Sequence, residues 1–171
     1  MLDRFEFQRK HVSYTSGLVL NVGSYNDPAN LKSIDRSRVL NCDINSWDGV
    51  DIVFDMRDKW PFESDSVELV ILGDIIEHLF YPEALGSLTE ARRVSQKLAI
   101  TVPEDDRHEG TKEYPQDEAG ARWHCYTWTE ERLKRVLEET GWEIKDWMEV
   151  DYNFVPRGFF IYSERNRSPY I

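Results

Sequence analysis

Positive charge is what this sequence most lacks. Its 21 Lys and Arg stand against 32 Asp and Glu, giving a formal net charge of −11 and a pI near 4.8. Such a surface repels phosphate, which argues against general nucleic-acid binding and against adhesion to an anionic membrane. Cysteine is scarcer still, with Cys42 and Cys125 alone. Neither has the spacing of a metal site or disulfide framework, so a reducing, cytoplasmic setting is expected and Cys42 reads as a small core residue. Long apolar runs are missing: none approaches 18 residues, and the opening MLDRFEFQRK has no signal-like apolar core. A soluble chain is therefore expected. Internal repeats and low-complexity linkers are absent as well, and 171 residues are most simply one domain, 1–171.

What is present is a series of short β-rich runs, at 18–22, 38–42, 51–54, 67–72 and 97–102. They are continuously apolar rather than alternating, as in parallel strands covered on both faces. Between the fourth and fifth, YPEALGSLTEARRVS carries Pro82 near its start and Ala84, Leu85, Leu88 and Ala91 at helical spacing. A second helix is predicted after Thr127, with Thr127 and Glu130 as a capping box, Leu133, Val136 and Leu137 as the apolar face, and Gly141 as the stop. The tail reads as two more strands, GWEIKDWMEV and GFFIYSE, joined as a hairpin. The sum is an α/β class chain: a doubly wound, mostly parallel seven-stranded sheet with an antiparallel C-terminal hairpin. Residues 26–37 leave room for at most about three helical turns and 44–50 for almost none, so one sheet face should be thinly covered.

Candidate chemistry gathers at the carboxyl ends of the strands, where open α/β sheets bind ligands near the switch in strand order. Gly23 ends the first run, Asp43 the second and Asp55 the third. Asp43 lies 20 residues beyond Gly23, the offset at which a carboxylate accepts from both hydroxyls of a ribose. Asp55 opens the loop DMRDKWPF, where a carboxylate or backbone group can hold an adenine amino group. In this order the three favour an adenosine-containing ligand. A lone Asp at a strand end is equally a capping or turn residue.

The segments LNVGS, NCDI, DMRDKWPFESDSVELVILGDIIEHL, ARRVSQKLAITVPE and HCYTWTEERLKRVLEETGWEI, over roughly residues 18–147, match a family's order and spacing. The chain resembles the class I S-adenosylmethionine-dependent methyltransferases, in particular the small type 11 group. The resemblance implies a Rossmann-like methyltransferase fold, S-adenosyl-L-methionine as cofactor, and methyl transfer to a small-molecule or sugar-like acceptor. It also implies roles for individual residues. Gly23 and Ser24 would let backbone approach the methionine and ribose. Asp43 would hold the ribose hydroxyls with Ile44 against the adenine, and Asp55 and Met56 would meet the adenine edge. Gly73 and Asp74 would flank the methyl-donor end. His78, beside Glu77, is a candidate general base or a structural hydrogen-bonding residue.

Three departures from the pattern stand out. Asn21 occupies a cofactor-binding position that is usually acidic, keeping acceptor capacity but losing the charge that attracts an ammonium. The second glycine of the usual Gly-x-Gly is replaced, leaving Gly23-Ser24-Tyr25. If that site needs positive φ, Tyr25 bears about 1–3 kcal/mol of strain. The usual Pro-Gly-Gly turn before the fifth strand is trimmed to VSQKLAI.

The acceptor region is expected in the long connection 103–128, as a lid or binding loop, together with the N-terminal segment 1–17 and a second subunit if the chain is a homodimer. Asp105, Asp106, Arg107, His108, Arg122, His124 and Tyr126 are its candidate contacts. His108 and His124 are candidate bases for a hydroxyl acceptor, His124 equally a residue that only holds the loop. His11, His78, His108 and His124 show no paired ligand spacing, so no metal site is expected. The alternative to an enzyme is a non-catalytic module of the same fold that binds a partner protein or another nucleotide. An NAD-dependent oxidoreductase is disfavoured because the G-x-G-x-x-G fingerprint is missing.

Overall fold

The computed structural model describes residues 3–105, 124–152 and 155–166. Its strands are β1 (Val19–Val22), β2 (Val39–Asp43), β3 (Ile52–Val53), β4 (Val67–Gly73), β5 (Ser95–Pro103), β6 (Trp142–Tyr152) and β7 (Val155–Arg165). They make one sheet in the order β3-β2-β1-β4-β5-β7-β6. The first five strands are parallel, and β7 runs antiparallel between β5 and β6. This is the doubly wound sheet with an antiparallel hairpin that the apolar runs predict. The chain steps outward from β1 to β3, then returns to lay β4 on the other side of β1. The switch point therefore lies between β1 and β4.

Two cores sandwich the sheet. On one face α2 (Tyr81–Val94) and α3 (Glu130–Glu139) bury Leu88, Ala91, Leu133 and Leu137 against Leu20, Val70, Leu72 and Ile100. The opposite face holds Val19, Leu69, Ile71 and Ala99, packed with Phe7 and Val12. Phe7 and Val12 come from α1 (Arg4–Ser13), a helix that the apolar pattern does not predict. Asp3 and Glu6 close it with a capping box, in which Glu6 N donates to Asp3 Oδ1 at 2.7 Å and Asp3 N to Glu6 Oε2 at 3.1 Å. The crossovers after β1 and β2 are as thin as their lengths require: residues 26–37 hold one 3-10 turn (Leu31–Ser33), and 44–50 hold no helix. The N-terminal helix supplies the cover on this face that the short crossovers do not.

One cap differs from expectation. Thr129, not Thr127, caps α3, its hydroxyl accepting from Arg132 N at 3.4 Å. Thr127 points the other way and donates to Asp105 O at 3.2 Å. Both threonines sit ahead of acidic residues, and tertiary packing chooses between them. Gly141 stops the helix as expected, at φ +74°. The trimmed turn before β5 vanishes altogether, since β5 begins at Ser95, directly after Val94 of α2.

Candidate functional site

The residues after β1 adopt an unusual backbone. Gly23 takes φ +70°, and a Cβ there would lie 2.5 Å from Cγ1 of Ile75 in the loop after β4. Only glycine permits this approach of the two loops across the switch point. Ser24 N donates to Cys42 O at 3.0 Å, extending the link to β2 by one step. Tyr25, Asp27 and Asn30 come next at φ +48°, +56° and +51°. The left-handed conformation that strains Tyr25 is therefore adopted. Its ring does not turn inward: Tyr25 is 52% exposed and meets Trp47 edge-on, with centroids 5.0 Å apart. Asp27 anchors the rest of the loop by accepting from Leu31 N and Lys32 N at 2.9 and 3.1 Å.

Asp43 ends β2 facing this loop. Its Oδ2 accepts from Tyr25 N at 2.8 Å and its Oδ1 from Asn45 N at 3.0 Å. Each carboxylate oxygen has a second lone pair, so both retain capacity for a hydroxyl donor. The carboxylate is held by backbone at a fixed angle, with Asp43 only 9% exposed. Beside it lies an apolar compartment lined by Val22, Ile44, Phe54, Met56, Ile75 and Leu79, with Gly23, Asp43, Asp55, Arg57 and His78 at its borders. Met56 is fixed through its carbonyl, which accepts from Trp60 Nε1 at 2.9 Å and Ser87 Oγ at 2.8 Å. Asp55 is forked onto Arg57, whose Nε lies 2.8 and 2.9 Å from its two oxygens.

A second, polar compartment opens on the far side of Gly23. Asn21, Ser24, Gly73 and Asp74 line it, joined by Arg4, Phe5 and Gln8 of α1. Asn21 donates through Nδ2 to Oδ1 of Asn41 at 3.0 Å. A Cβ at Gly73 would fall 2.2 Å from Gln8 Nε2, so a larger residue there would displace the Gln8 amide. Asp74, at φ +52°, accepts from Thr101 Oγ1 at 2.8 Å and from the Tyr152 hydroxyl at 2.6 Å, and its other oxygen pairs with Arg4. Burial, the nearby Glu77 charge adding to it, pushes the Tyr152 phenol up, so it stays a neutral donor. Arg4, Gln8, Thr101 and Tyr152 carry no local signature of this role. The one available signal is the Asp-x-x-Glu box at 3–6, which marks the helix that delivers Arg4 and Gln8.

The turn Ile76–His78 and the segment from His124 make a third group. Cys125 N donates to Glu77 O at 2.9 Å and Trp128 Nε1 to Ile76 O at 2.8 Å, which docks the segment on the turn. The His78 and His124 rings meet edge to face at 5.0 Å. His124 Nδ1 lies 2.7 Å from Asp105 Oδ2, and its Nε2 lies 3.8 Å from Glu77 Oε1. Burial pushes the Glu77 carboxyl up to about 8, with Asp105 adding to the rise and Arg4 opposing it. Spacing gives no hint of this convergence, because His124 arrives from far along the chain. Tyr126 places its ring under the Arg132 guanidinium, 4.6 Å from the centroid, and meets Trp128 edge-on at 5.0 Å. Asp106, Arg107, His108 and Arg122 lie outside the described residues. Cys42 is core, as expected, with burial pushing its thiol up to about 12.

No protein-family model matches the chain, and no curated protein matches it in sequence. Solved structures do match its fold. An S-adenosylmethionine-dependent methyltransferase from Methanosarcina mazei superposes with TM-score 0.67 at 17% identity, over 90% of this chain and 95% of that one. Another from Aquifex aeolicus gives TM-score 0.65 at 20% identity, over 95% and 89%. The 1,6-didemethyltoxoflavin-N1-methyltransferase of Burkholderia thailandensis, solved with S-adenosylhomocysteine bound, gives 0.67 at 14% identity, over 95% and 76%. At such identities the likeness establishes the fold, the Rossmann-like fold of these methyltransferases. Among the described residues no helix is long and apolar enough to cross a membrane.

Proposed function

We propose that the chain is an S-adenosylmethionine-dependent methyltransferase acting on a small-molecule or sugar-like acceptor. The observation that carries this reading is Asp43, a buried carboxylate at the carboxyl end of β2, next to β1, whose two oxygens are each anchored by one backbone N–H and keep a lone pair for a vicinal diol. The surroundings suit the remainder of such a cofactor. An apolar compartment beside Asp43 matches an adenine, with Ile44 and Met56 among its walls. The polar compartment beyond Gly23 matches an amino-acid tail, with Asn21 and Asp74 as acceptors for its ammonium. The solved relatives in fold that carry this cofactor or its product add to the case.

The cofactor, when bound, supplies an already activated methyl group, so the protein's part is largely placement. Asp43 orients the ribose. Gly23 keeps the end of β1 open to close backbone approach. Arg4, Thr101 and Tyr152 fix Asp74 between the polar compartment and the sheet. For a hydroxyl acceptor, His78 or His124 is positioned to receive its proton, with His124 oriented by Asp105.

Thermal unfolding with S-adenosylhomocysteine tests the reading. Ligand at about 100 times its Kd adds roughly 2.7 kcal/mol, a rise of about 5–10 °C for a chain of this size. The Asp43→Ala variant should lose that rise. No rise at millimolar ligand defeats the reading. One observation favours a second reading, a non-catalytic module of the same fold. The charges of the polar compartment, Arg4 and Asp74, already satisfy one another. A partner-binding module predicts a normal melt in which neither S-adenosylmethionine nor its product changes anything.

A further inference from the structure

We propose that Glu77, His78 and His124 form a binding site for one divalent transition-metal cation, with Asp105 orienting His124. One ligand atom from each of the three lies within 4.8 Å of the other two. A cation bonded to N and O at about 2.0–2.2 Å draws its ligands to roughly 3–3.5 Å of one another. Closing the remaining gap takes side-chain shifts of about an ångström, within the reach of rotamer adjustment. His78 and His124 are both part-exposed, so a cation has a way in.

Two independent features point to a cation. The first is the orientation of His124. Its Nδ1 is held by Asp105 Oδ2 at 2.7 Å, and Asp105 is 3% exposed, while its Nε2 is the nitrogen aimed at Glu77, 3.8 Å from Oε1. A buried carboxylate gripping one imidazole nitrogen so that the other faces the ligand cluster is the usual support of a metal-bound histidine. The second is Glu77 itself, 1% exposed, whose Oε2 has no hydrogen-bond partner. A buried carboxylate oxygen in that state is costly, and a bonded cation removes the cost. The part of the chain that brings His124 here is firmly docked, through Cys125 N on Glu77 O and Trp128 Nε1 on Ile76 O.

Two imidazoles and one carboxylate select borderline cations such as Zn²⁺, Fe²⁺ or Co²⁺ over Ca²⁺ and Mg²⁺, which prefer all-oxygen shells, with the harder Mn²⁺ held more weakly. Among the described residues three protein ligands are available to such a cation. His78 also borders the apolar cleft, so the cation stands at the edge of that cleft. There the cation would anchor an acceptor oxygen and lower its pKa, taking the place of His78 or His124 as a base. That role rests on the methyltransferase reading, whereas the metal site does not.

The 171-residue chain, stripped of metal by chelator and dialysed, is titrated with Zn²⁺ by calorimetry and with Co²⁺ by visible absorption. The expected result is one equivalent per chain, with Co²⁺ ligand-field bands. Affinity should fall at least about 100-fold in His78→Gln/His124→Gln and about 10–100-fold in Asp105→Asn, with circular dichroism reporting the fold. Histidine ring ¹⁵N shifts in the unmutated protein give a readout that needs no variant: Zn²⁺ should move the signals of His78 and His124 and leave His11 unmoved. Absence of stoichiometric binding at millimolar metal overturns the proposal, as does unchanged affinity in the folded double variant or ring shifts that avoid His78 and His124. S-adenosylhomocysteine melts on the metal-free protein keep the two readings separate. A rise there without metal binding sinks only the metal site, and metal binding without a rise sinks only the methyltransferase.

Discussion

The backbone N–H of Tyr25 donates to Oδ2 of Asp43 at 2.8 Å, tying the loop after β1 to the end of β2. The bond exists because Tyr25 turns into the left-handed region, a conformation that also carries its ring outward to Trp47. A residue that breaks the glycine pattern thus still supplies the N–H that holds the carboxylate. Tyr25→Gly keeps that N–H and relieves the strained φ. Its affinity for S-adenosylhomocysteine should stay within about threefold of the unmutated protein, under 1 kcal/mol. Calorimetric titration decides; a large gain in affinity would mean that the ring obstructs the compartment.

Gly23 has no such latitude. A Cβ at φ +70°, 2.5 Å from Ile75 Cγ1, adds backbone strain to steric overlap. Gly23→Ala should cost about 3–5 kcal/mol in urea denaturation. Combining it with Ile75→Ala should recover only the overlap part, leaving the φ penalty visible in the double-mutant cycle.

Acid should withdraw the part of the stability that depends on a neutral His11. This residue is 7% exposed, stacks on Tyr162 at 4.4 Å and meets Phe7 edge-on at 4.5 Å, with Nε2 buried and unpartnered. Burial, with Lys10 assisting and Asp146 opposing, lowers its pKa from 6.5 to about 4. Between those values the unfolded chain takes up a proton that the folded chain refuses. The stability it protects is therefore whole above pH 6.5 and is lost as pH falls toward about 4, on the order of 2–3 kcal/mol. His11→Phe should lose less stability than the unmutated protein as pH falls across that window, and an unchanged pH profile would count against the assignment.

Tyr152 and Thr101 hold one oxygen of Asp74 from two different strands, while Arg4 holds the other from α1. Removing one donor leaves a part-buried carboxylate under-satisfied. Tyr152→Phe should cost about 1–2 kcal/mol. Hydrogen exchange should quicken in α1 if that cluster is what clamps the helix to the sheet; protection unchanged in α1 would refute the clamp.

The strands, their order of appearance and the antiparallel tail are legible because apolar runs of strand length carry their own signal, and α2 and its Pro82 start likewise. The helix α1 is not, since its polar sequence shows little periodicity and only Phe7, Gln8, His11 and Val12 are buried. The cap of α3 lies two residues beyond the expected one because Thr127 and Thr129 are chemically alike, and only the docking of Thr127 on Asp105 separates them. At the site, glycine and acid at strand ends bring Gly23, Asp43, Ile44, Asp55 and Met56 to one compartment, as position along a parallel sheet requires.

The sequence by itself thus determined the sheet and the strand-end residues, because both come from local pattern: buried strands must be apolar, and the residue directly after a strand must sit at its end. Only the tertiary structure decided which distant groups meet. Arg4 reaches Asp74 because α1 fills a face that short crossovers leave bare, and His124 reaches Glu77 and His78 because Trp128 and Cys125 dock on the turn after β4. Such meetings are fixed by packing between segments far apart in the chain, which no spacing along it encodes.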